Sequence, residues 1–336
     1  MAPTLTQPGT WSPGTCVRLT HAVVVVEEYL TAGGHSQVYL VRMRDTVTAA
    51  GGRAVLKRIV CTHPLEVAEA RREIEFLAAL SGHRHIVPFI DGTLCPRPQP
   101  PGASAAAAPL AEALILTAYC PNGHLVDFLN TRLATPLAES EVLHIFSEIC
   151  QAGRDSRDGG SRNRDGGHAT TSARLPRLPR PILHRDLKVE NVLIDADGVH
   201  QLCDFGSATT WAIPPNTVLD PSARARLQDE IARHSTLQYR APEMVDLYAG
   251  MGISDRTDIW ALGVLLYKLC YYTTPFEATG QLAILHGRFT FPDQPPYSPA
   301  LRRLIQQMLQ VRPDLRPAIG PLLHQVSRLQ GVACPL

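Results

Sequence analysis

Residues 184–191 read HRDLKVEN, and this stretch of the chain decides the fold. Within one short loop it places a carboxylate, a cation and an amide, on Asp186, Lys188 and Asn191. Further along, Asp204-Phe205-Gly206 supplies a second carboxylate beside a glycine that permits a sharp turn. Each motif alone occurs often by chance, but the two in this order make a specific pattern.

In-line phosphoryl transfer needs this set of groups. A carboxylate orients the attacking hydroxyl and takes its proton, and a positive charge lies near the transferred phosphoryl group. Mg²⁺ takes oxygen ligands, which the amide of Asn191 and the carboxylate of Asp204 provide. Two short strand patterns, at 192–194 and 200–203, join the motifs. The sequence therefore predicts a phosphoryl-transfer site with Asp186 as its base.

These motifs resemble the catalytic and metal-binding loops of protein kinases, and the resemblance extends from His21 to about Leu329. It implies an α+β, bilobal protein kinase fold, with a small β-rich N-lobe that carries one helix and a larger, mainly helical C-lobe. A substrate cleft between two such halves is a common arrangement. The implied boundaries are a flexible leader at 1–20 and a kinase domain at 21–330, with the N-lobe at 21–117, the hinge at 118–121 and the C-lobe at 122–330.

The hydrophobic periodicity agrees with that division of the chain. Alternating patterns predict strands over 22–30, 37–42, 53–59, 87–90 and 114–118. Apolar residues at helical spacing predict one early helix over 64–80 and later helices over 126–132, 139–152, 257–272 and 301–310. A β-rich part with one helix is thus followed by a helical part.

Two residues of the first half match the ATP-binding pair of protein kinases. Lys57 matches the strand lysine that holds the α- and β-phosphates, and Glu73 matches its partner on the following helix. The glycine-rich loop departs from the usual pattern, because residues 31–38 read TAGGHSQV and keep only the middle glycine, Gly33. Backbone N–H groups still cradle phosphate, so we expect ATP binding. The resemblance implies a set of ATP-binding residues: Leu30, Gly33, Gly34, Val38, Val55, Lys57, Thr117, Ala118, Tyr119, Cys120 and Leu193.

The resemblance also assigns residues that support the catalytic and activation segments. Glu243 of the Ala-Pro-Glu segment should pair with Arg316, and Asp258 should brace the catalytic loop. Lys188, combined with Thr236, is the arrangement of serine/threonine kinases rather than tyrosine kinases. The implied reaction is ATP-dependent phosphorylation of serine and threonine in protein substrates, with ATP and Mg²⁺ as cofactors.

A finer resemblance is to the numb-associated kinase family, which includes the adaptor-associated, cyclin-G-associated and yeast actin-regulating kinases. The stretches that carry it include LTAGGHSQVYLVR at 30–42, DFGSAT at 204–209 and DIWALGVLLYKLCYYTTPF at 258–276. Segment 223–232 resembles an extra helix in the activation segment of this family, and a solvated loop is the alternative. The resemblance implies substrates among endocytic adaptor or actin-regulatory proteins, with a peripheral link to the clathrin or actin machinery.

Composition excludes several other classes of function. A formal net charge of +1 gives no electrostatic reason to expect nucleic acid as a partner. The eight cysteines are scattered without a C-x-x-C pair, which favours free, buried thiols over a zinc site or disulfides. No apolar run approaches the ~20 residues of a membrane helix, and the first residues lack the pattern of a signal peptide. A cytoplasmic protein is the expectation.

Two low-complexity insertions are predicted, at 95–109 and 153–181. The second is basic, glycine-rich and almost without apolar residues. It follows the predicted helix 139–152 and shortens the helix that should lead into His184. A genuine insertion and an error in the gene model both explain it.

The shortened helix keeps a second function open, a catalytically impaired, pseudokinase-type scaffold. The presence of Lys57, Asp186 and Asp204 argues instead for activity, since inactive kinase folds typically lose one of them. A small-molecule or lipid kinase is the third alternative. The Ala-Pro-Glu segment and the later arginine argue against it.

Overall fold

The computed structural model describes residues 9–33, 36–44, 52–97, 109–158 and 182–336. The chain divides into two compact units. The first consists of Met1–Gly82 and Val87–Cys120, and the second of His83–Ile86 and Pro121–Leu336. Strands dominate the first unit and helices the second, which confirms the predicted α+β class.

One antiparallel sheet of six strands forms the body of the first unit. The strands are β1 (Cys16–Arg18), β2 (Val23–Gly33), β3 (Ser36–Met43), β4 (Arg53–Cys61), β5 (Phe89–Pro96) and β6 (Ala111–Ala118). They lie in the order β1-β2-β3-β4-β6-β5, and β-branched residues favour the extended backbone of the longest ones. The strand predicted at 87–90 begins later, at Phe89, and continues to Pro96.

One face of this sheet is packed into a core. Ala54 and Leu56 of β4 point to that face and are fully buried. Tyr39 of β3 and Leu116 of β6 lie beside them and are also fully buried. The alternation of side chains along each strand leaves the intervening residues on the opposite face.

Helix α1, Pro64–Ala79, packs on the opposite face at one end of the strands. Ala70 of α1 shares a small apolar core with Cys61 of β4. The helix begins with a capping box: the His63 ring accepts a backbone N–H of the first turn, and the Glu66 carboxylate accepts the N–H of His63. The single early helix was predicted at 64–80.

The leader predicted at 1–20 is not flexible from residue 9 onward. β1 pairs with β2, and Trp11, Val17 and Leu19 pack against the core face of the sheet. Burial of these apolar side chains offsets the entropy lost when the segment is ordered. The apolar pattern in this segment is too short to predict its packing from the sequence. Residues 1–8 lie outside the described part of the chain.

Helices form most of the second unit. They are α2 (Leu125–Thr131), α3 (Glu139–Asp158), α4 (Pro221–His234), α5 (Pro242–Val245), α6 (Asp255–Tyr271), α7 (Gly280–His286), α8 (Pro299–Met308) and α9 (Ile319–Gln330). A two-stranded sheet of β7 (Val192–Ile194) and β8 (His200–Leu202) accompanies them. Buried α6 lies at the centre, and α4 matches the helix implied at 223–232. The sequence patterns did not predict α5, α7 and α9.

Helix α3 does not end at Ala152 as predicted. It continues to Asp158, and Phe146, Ile149 and Ala152 are buried along it. The shortened helix was therefore a wrong prediction, because the polar residues after Ala152 still extend a helix that its apolar residues hold in place.

Both predicted insertions begin inside regular structure. The insertion at 153–181 starts within α3, and that at 95–109 starts within β5. Residues 98–108 and 159–181 lie outside the described part of the chain. Among the helices of the described residues, none has the length and apolar character to cross a membrane.

Candidate active site

Lys57 of β4 and Glu73 of α1 form an ion pair in the first unit. The Lys57 Nζ and Glu73 Oε1 atoms lie 2.7 Å apart. Glu73 is 3% exposed, whereas the Lys57 side chain is 22% exposed. A buried carboxylate thus fixes an ammonium group that still reaches solvent. The structure brings together the two residues that the sequence paired.

Three predicted nucleotide-binding residues share a sheet face with Lys57. Val38 lies opposite Lys57 across β3 and β4, and Val55 lies opposite Thr117 across β4 and β6. Because residues two apart on a strand share a face, all four side chains point the same way. Each is half-buried. An apolar surface beside a fixed cation suits a ligand with an apolar ring and an anionic group.

The hairpin between β2 and β3 carries the predicted glycine-rich loop. Gly33 pairs with Ser36 at the described end of the hairpin, and the Ser36 hydroxyl donates to the Gly33 carbonyl at 2.7 Å. Leu30 lies on β2 and is 43% exposed. Gly34 lies outside the described residues.

The predicted hinge begins at the end of β6. The Ala118 N–H donates to the Pro88 carbonyl at 2.9 Å. Tyr119 is half-buried and Cys120 is buried. Leu193, also predicted to bind ATP, lies on β7 of the second unit and is half-buried.

The Asp186 carboxylate is the centre of a hydrogen-bonded cluster in the second unit. Its Oδ2 lies 2.7 Å from the Lys188 Nζ. Its Oδ1 accepts the Thr236 hydroxyl at 2.8 Å and the Thr236 N–H at 3.2 Å. The same hydroxyl accepts a bond from Lys188 Nζ at 3.0 Å. Three predicted site residues are therefore brought together, with both carboxylate oxygens oriented.

Asn191 is held by the same carboxylate. Its Nδ2 donates to Asp186 Oδ2 at 3.0 Å and to the Asp186 carbonyl at 2.9 Å. Since both bonds use the amide nitrogen, the Oδ1 atom is turned away from Asp186 and accepts no hydrogen bond from the described residues. The Asn191 side chain can therefore offer an oxygen ligand without losing its anchor.

Asp204 follows directly on a residue bound to Asn191. Cys203 donates its N–H to the Asn191 carbonyl at 2.9 Å, which joins the two motifs side by side. Asp204 is exposed and adopts a left-handed backbone with φ 58°. Behind it, the rings of Phe205 and His184 meet edge to face at 4.9 Å. This buried contact fixes the residue after Asp204, and the bond from Cys203 to Asn191 fixes the residue before it.

Asp258 of α6 braces the loop at 184–191. Its two carboxylate oxygens accept the N–H groups of His184 at 2.9 Å and Arg185 at 3.0 Å. Arg185 has a left-handed backbone with φ 65°, a conformation that costs free energy in a residue with a side chain. The buried Asp258 offsets that cost through two charge-assisted hydrogen bonds.

Glu243 and Arg316 form a buried, two-pronged ion pair. Nη1 and Nη2 of Arg316 donate to the two Glu243 oxygens, each at 2.7 Å. Both side chains are almost completely buried. The Thr257 hydroxyl donates to Glu243 at 3.0 Å, and the guanidinium lies 5.1 Å from the Trp260 ring. The pairing follows the sequence expectation.

Tyr239 lies in the turn that follows Thr236. Burial, and next the charge of Glu190, raises the pKa of its phenol far above the ordinary value. The hydroxyl therefore stays protonated at neutral pH.

Sequence reasoning missed the residues that bind the Arg185 side chain. Its Nη1 donates to Glu230 Oε1 of α4 at 2.9 Å, and its Nε donates to the Ser207 carbonyl at 2.6 Å. Trp211 also donates to Glu230, at 3.2 Å, and its ring lies 5.1 Å from the guanidinium. Nothing marks Glu230 among the charged residues of α4, although the apolar pair Leu227 and Ile231 indicates which side of the helix is buried.

The pattern of the protein kinase domain family matches residues 179–326. Actin-regulating kinase PRK1 of Saccharomyces cerevisiae is 38% identical over 327 residues, 97% of this chain and 37% of that protein. Actin-regulating kinase 1 of the same yeast is 38% identical over 336 residues, 98% of this chain and 47% of that protein.

A similar match comes from fission yeast. Serine/threonine-protein kinase ppk30 of Schizosaccharomyces pombe is 38% identical over 323 residues, 96% of this chain and 30% of that protein. The chain therefore spans less than half the length of these relatives. The resemblance to the numb-associated kinases, inferred from the motifs, is confirmed: the chain contains a protein kinase domain and is similar over nearly its whole length to serine/threonine kinases that include the yeast actin-regulating kinases.

Proposed function

We propose that this chain transfers the γ-phosphoryl group of ATP to serine and threonine hydroxyls of proteins. The observation that carries the proposal is the cluster around Asp186, in which Lys188 and Thr236 orient both carboxylate oxygens. A base must be held within hydrogen-bond reach of the hydroxyl whose proton it takes. Burial of Asp186 to 9% exposure limits the orientations its carboxylate can adopt.

Lys188 and Thr236 have complementary roles in this proposal. The Lys188 ammonium would stabilise negative charge that develops on the transferred phosphoryl group. The Thr236 hydroxyl holds Lys188 and Asp186 in register, because it donates to one and accepts from the other. A catalytic lysine tied to a threonine favours serine and threonine over tyrosine as acceptors.

Asn191 and Asp204 would hold Mg²⁺. An amide oxygen and a carboxylate are hard ligands, and Mg²⁺ usually binds one or two carboxylates together with substrate phosphates. No cluster of three or more His, Cys, Asp and Glu side chains forms a metal site within the described ranges. When bound, the metal would neutralise charge on the phosphates.

In the first unit, Lys57 would bind the α- and β-phosphates of ATP, with Glu73 as its anchor. Val38, Val55 and Thr117 would contact the adenine and ribose, because they share the half-buried face with Lys57. The other described residues that we propose to bind ATP are Leu30, Gly33, Ala118–Cys120 and Leu193.

The substrates are proposed from the relatives. Two of them are named actin-regulating kinases, so we infer that this protein phosphorylates actin-regulatory or endocytic adaptor proteins in the cytoplasm. The alternative of an inactive scaffold is not favoured over this function, since the relatives are named as kinases.

A phosphotransfer assay tests the proposal. The purified chain is incubated with Mg·ATP and mixed Ser, Thr and Tyr peptides, and products are located by mass spectrometry. We expect phosphoserine and phosphothreonine, and a loss of about a thousandfold in turnover for Asp186→Asn with ATP binding retained. Asp197→Asn, at an exposed turn, is the matched control and should be as active as the unaltered chain. Full turnover by Asp186→Asn would contradict the assigned role.

A further inference from the structure

Residues 9–15 form a strap across the core face of the sheet in the first unit. The Trp11 ring stacks on the Tyr39 ring at 5.4 Å with an interplanar angle of 29°, and the Trp11 N–H donates to the Tyr39 hydroxyl at 3.1 Å. Backbone bonds between Gly14 and Val26 and between Thr15 and Val26 fasten the other end to β2. The strap is therefore held by both side-chain and backbone contacts.

Arg58 of β4 is the second anchor of the strap. Its Nη1 donates to the Gly9 carbonyl at 2.7 Å and to Gln37 Oε1 at 2.9 Å. Its guanidinium lies 4.4 Å from the Trp11 ring and pairs with Glu112. Arg58 is 7% exposed, so these contacts satisfy a buried charge.

Gln37 connects the strap to the β2–β3 hairpin. Its Oε1 accepts the Tyr39 hydroxyl at 2.8 Å as well as the Arg58 guanidinium. Along the chain, Gln37 stands between Ser36, which closes the described end of the hairpin, and Val38 on the half-buried face. Arg58 likewise follows Lys57 directly. Both partners of the strap are thus chain neighbours of residues proposed to bind ATP, with their side chains on the other face.

We propose that this strap positions the β2–β3 hairpin and the Lys57 strand for nucleotide binding, with Trp11 and Tyr39 as positioning residues. The inference rests on the proposed function, because it takes the half-buried face as the ATP-binding surface. Neither residue touches that face. They act through the closed set of hydrogen bonds from Trp11 to Tyr39, Gln37, Arg58 and Gly9, which fixes the backbone between the two faces.

The physical reason lies in the two-sided nature of a strand. A strand whose side chains are fixed on one face cannot shift or twist without breaking those contacts, so the opposite side chains keep their positions. Without the strap, strand β3 would keep its backbone hydrogen bonds to β2 and β4, but Gln37 and Tyr39 would lose their side-chain contacts with the strap. We therefore expect phosphate to bind more weakly. Asp186 and its partners in the second unit should be unaffected.

Two variants of the full chain test the inference. Tyr39→Phe removes one hydroxyl from a fully buried ring, and Trp11→Ala removes the stacked ring. Val17→Ala is the matched control, because Val17 lies in the same N-terminal segment and the same core but outside the hydrogen-bonded set. The readouts are the Kd and KM for Mg·ATP, kcat, and backbone hydrogen exchange of residues 36–43 without nucleotide.

We expect Tyr39→Phe and Trp11→Ala to raise the Kd and KM for ATP by about two- to tenfold, with kcat nearly unchanged and faster exchange at 36–43. Val17→Ala should lower thermal stability without raising the KM for ATP. If Tyr39→Phe and Trp11→Ala change the ATP constants and the exchange no more than Val17→Ala does, the positioning role is overturned. That outcome would leave the proposed function intact. Absence of ATP binding by the unaltered chain would instead overturn both the proposed function and the positioning role, so the two failures can be told apart.

Discussion

Arg185 Nη1 donates to Glu230 Oε1 at 2.9 Å, across 45 residues of sequence. The Arg185 side chain is 2% exposed, so helix α4 supplies a carboxylate to a buried cation beside the proposed base. Activation segments of kinases are commonly ordered when an arginine binds a phosphorylated residue. In this protein the Glu230 carboxylate already binds Arg185. This ion pair connects α4 to the loop at 184–191.

We expect Glu230→Ala to lower kcat by roughly tenfold, because it removes the carboxylate that binds the buried Arg185 guanidinium next to Asp186 and loosens α4. The measurement is steady-state phosphotransfer at saturating ATP. Asp229→Ala changes an exposed acid in the same helix and serves as the control. Equal kcat for the Glu230 and Asp229 variants would contradict the role given to Glu230.

Lys57→Met tests the cation of the first unit. We expect kcat/KM to fall by about a hundredfold or more, because the variant removes a charge fixed by Glu73 while methionine keeps much of the side-chain volume. Arg53→Met, on the same strand with an exposed side chain, should stay within about twofold. An unchanged kcat/KM for Lys57→Met would remove this lysine from the proposed site.

The buried pair of Glu243 and Arg316 predicts a large effect on stability. Arg316→Lys keeps the charge but cannot donate to both carboxylate oxygens, so we expect the free energy of unfolding to fall by about 3 kcal/mol. Arg312→Lys alters an exposed pair with Asp314 and should cost less than about 0.5 kcal/mol. Urea denaturation of the two variants measures the difference, and similar losses would show that burial of the pair contributes little.

Glu112 predicts a specific pH dependence of stability. Burial alone would raise the pKa of its carboxyl, but the hydrogen bonds from Arg97 and Arg58 outweigh burial and hold the pKa below the ordinary 4.5. A carboxyl with a lowered folded pKa stabilises the fold above its unfolded pKa, and that contribution is lost as pH falls through the folded value.

Glu112→Gln should therefore lower the free energy of unfolding by about 1–3 kcal/mol at pH 7. The gap between the variant and the unaltered chain should narrow as the pH falls below 4.5. Thermal or urea unfolding between neutral and acid pH measures it. A gap that stays constant across that range would show that the ionisation of Glu112 does not contribute.

The cysteines show where composition alone was incomplete. The scattered spacing predicted free thiols, and all eight are free. Burial raises the pKa of Cys61 to about 11, as the prediction of buried thiols requires. Cys16 and Cys95 are nevertheless exposed, because each lies on a strand of the sheet with its side chain directed to solvent.

The amino-acid sequence by itself determined the chemical groups of the site. Asp186, Lys188 and Asn191 lie within one loop, so local chain geometry alone keeps them close, whatever the rest of the fold does. The period of the apolar residues likewise predicted strands β2 to β6 and helices α1, α2, α3, α6 and α8, although it missed β1 and α9.

Tertiary structure decided the contacts that join distant segments. Glu230 binds Arg185, and the Trp11 ring stacks on the Tyr39 ring. No local sequence pattern predicts either pair. Helix α3 continued past Ala152 because a helix already anchored by buried side chains can extend into polar sequence. Such contacts depend on which surfaces pack together, and packing depends on the whole chain rather than on neighbouring residues.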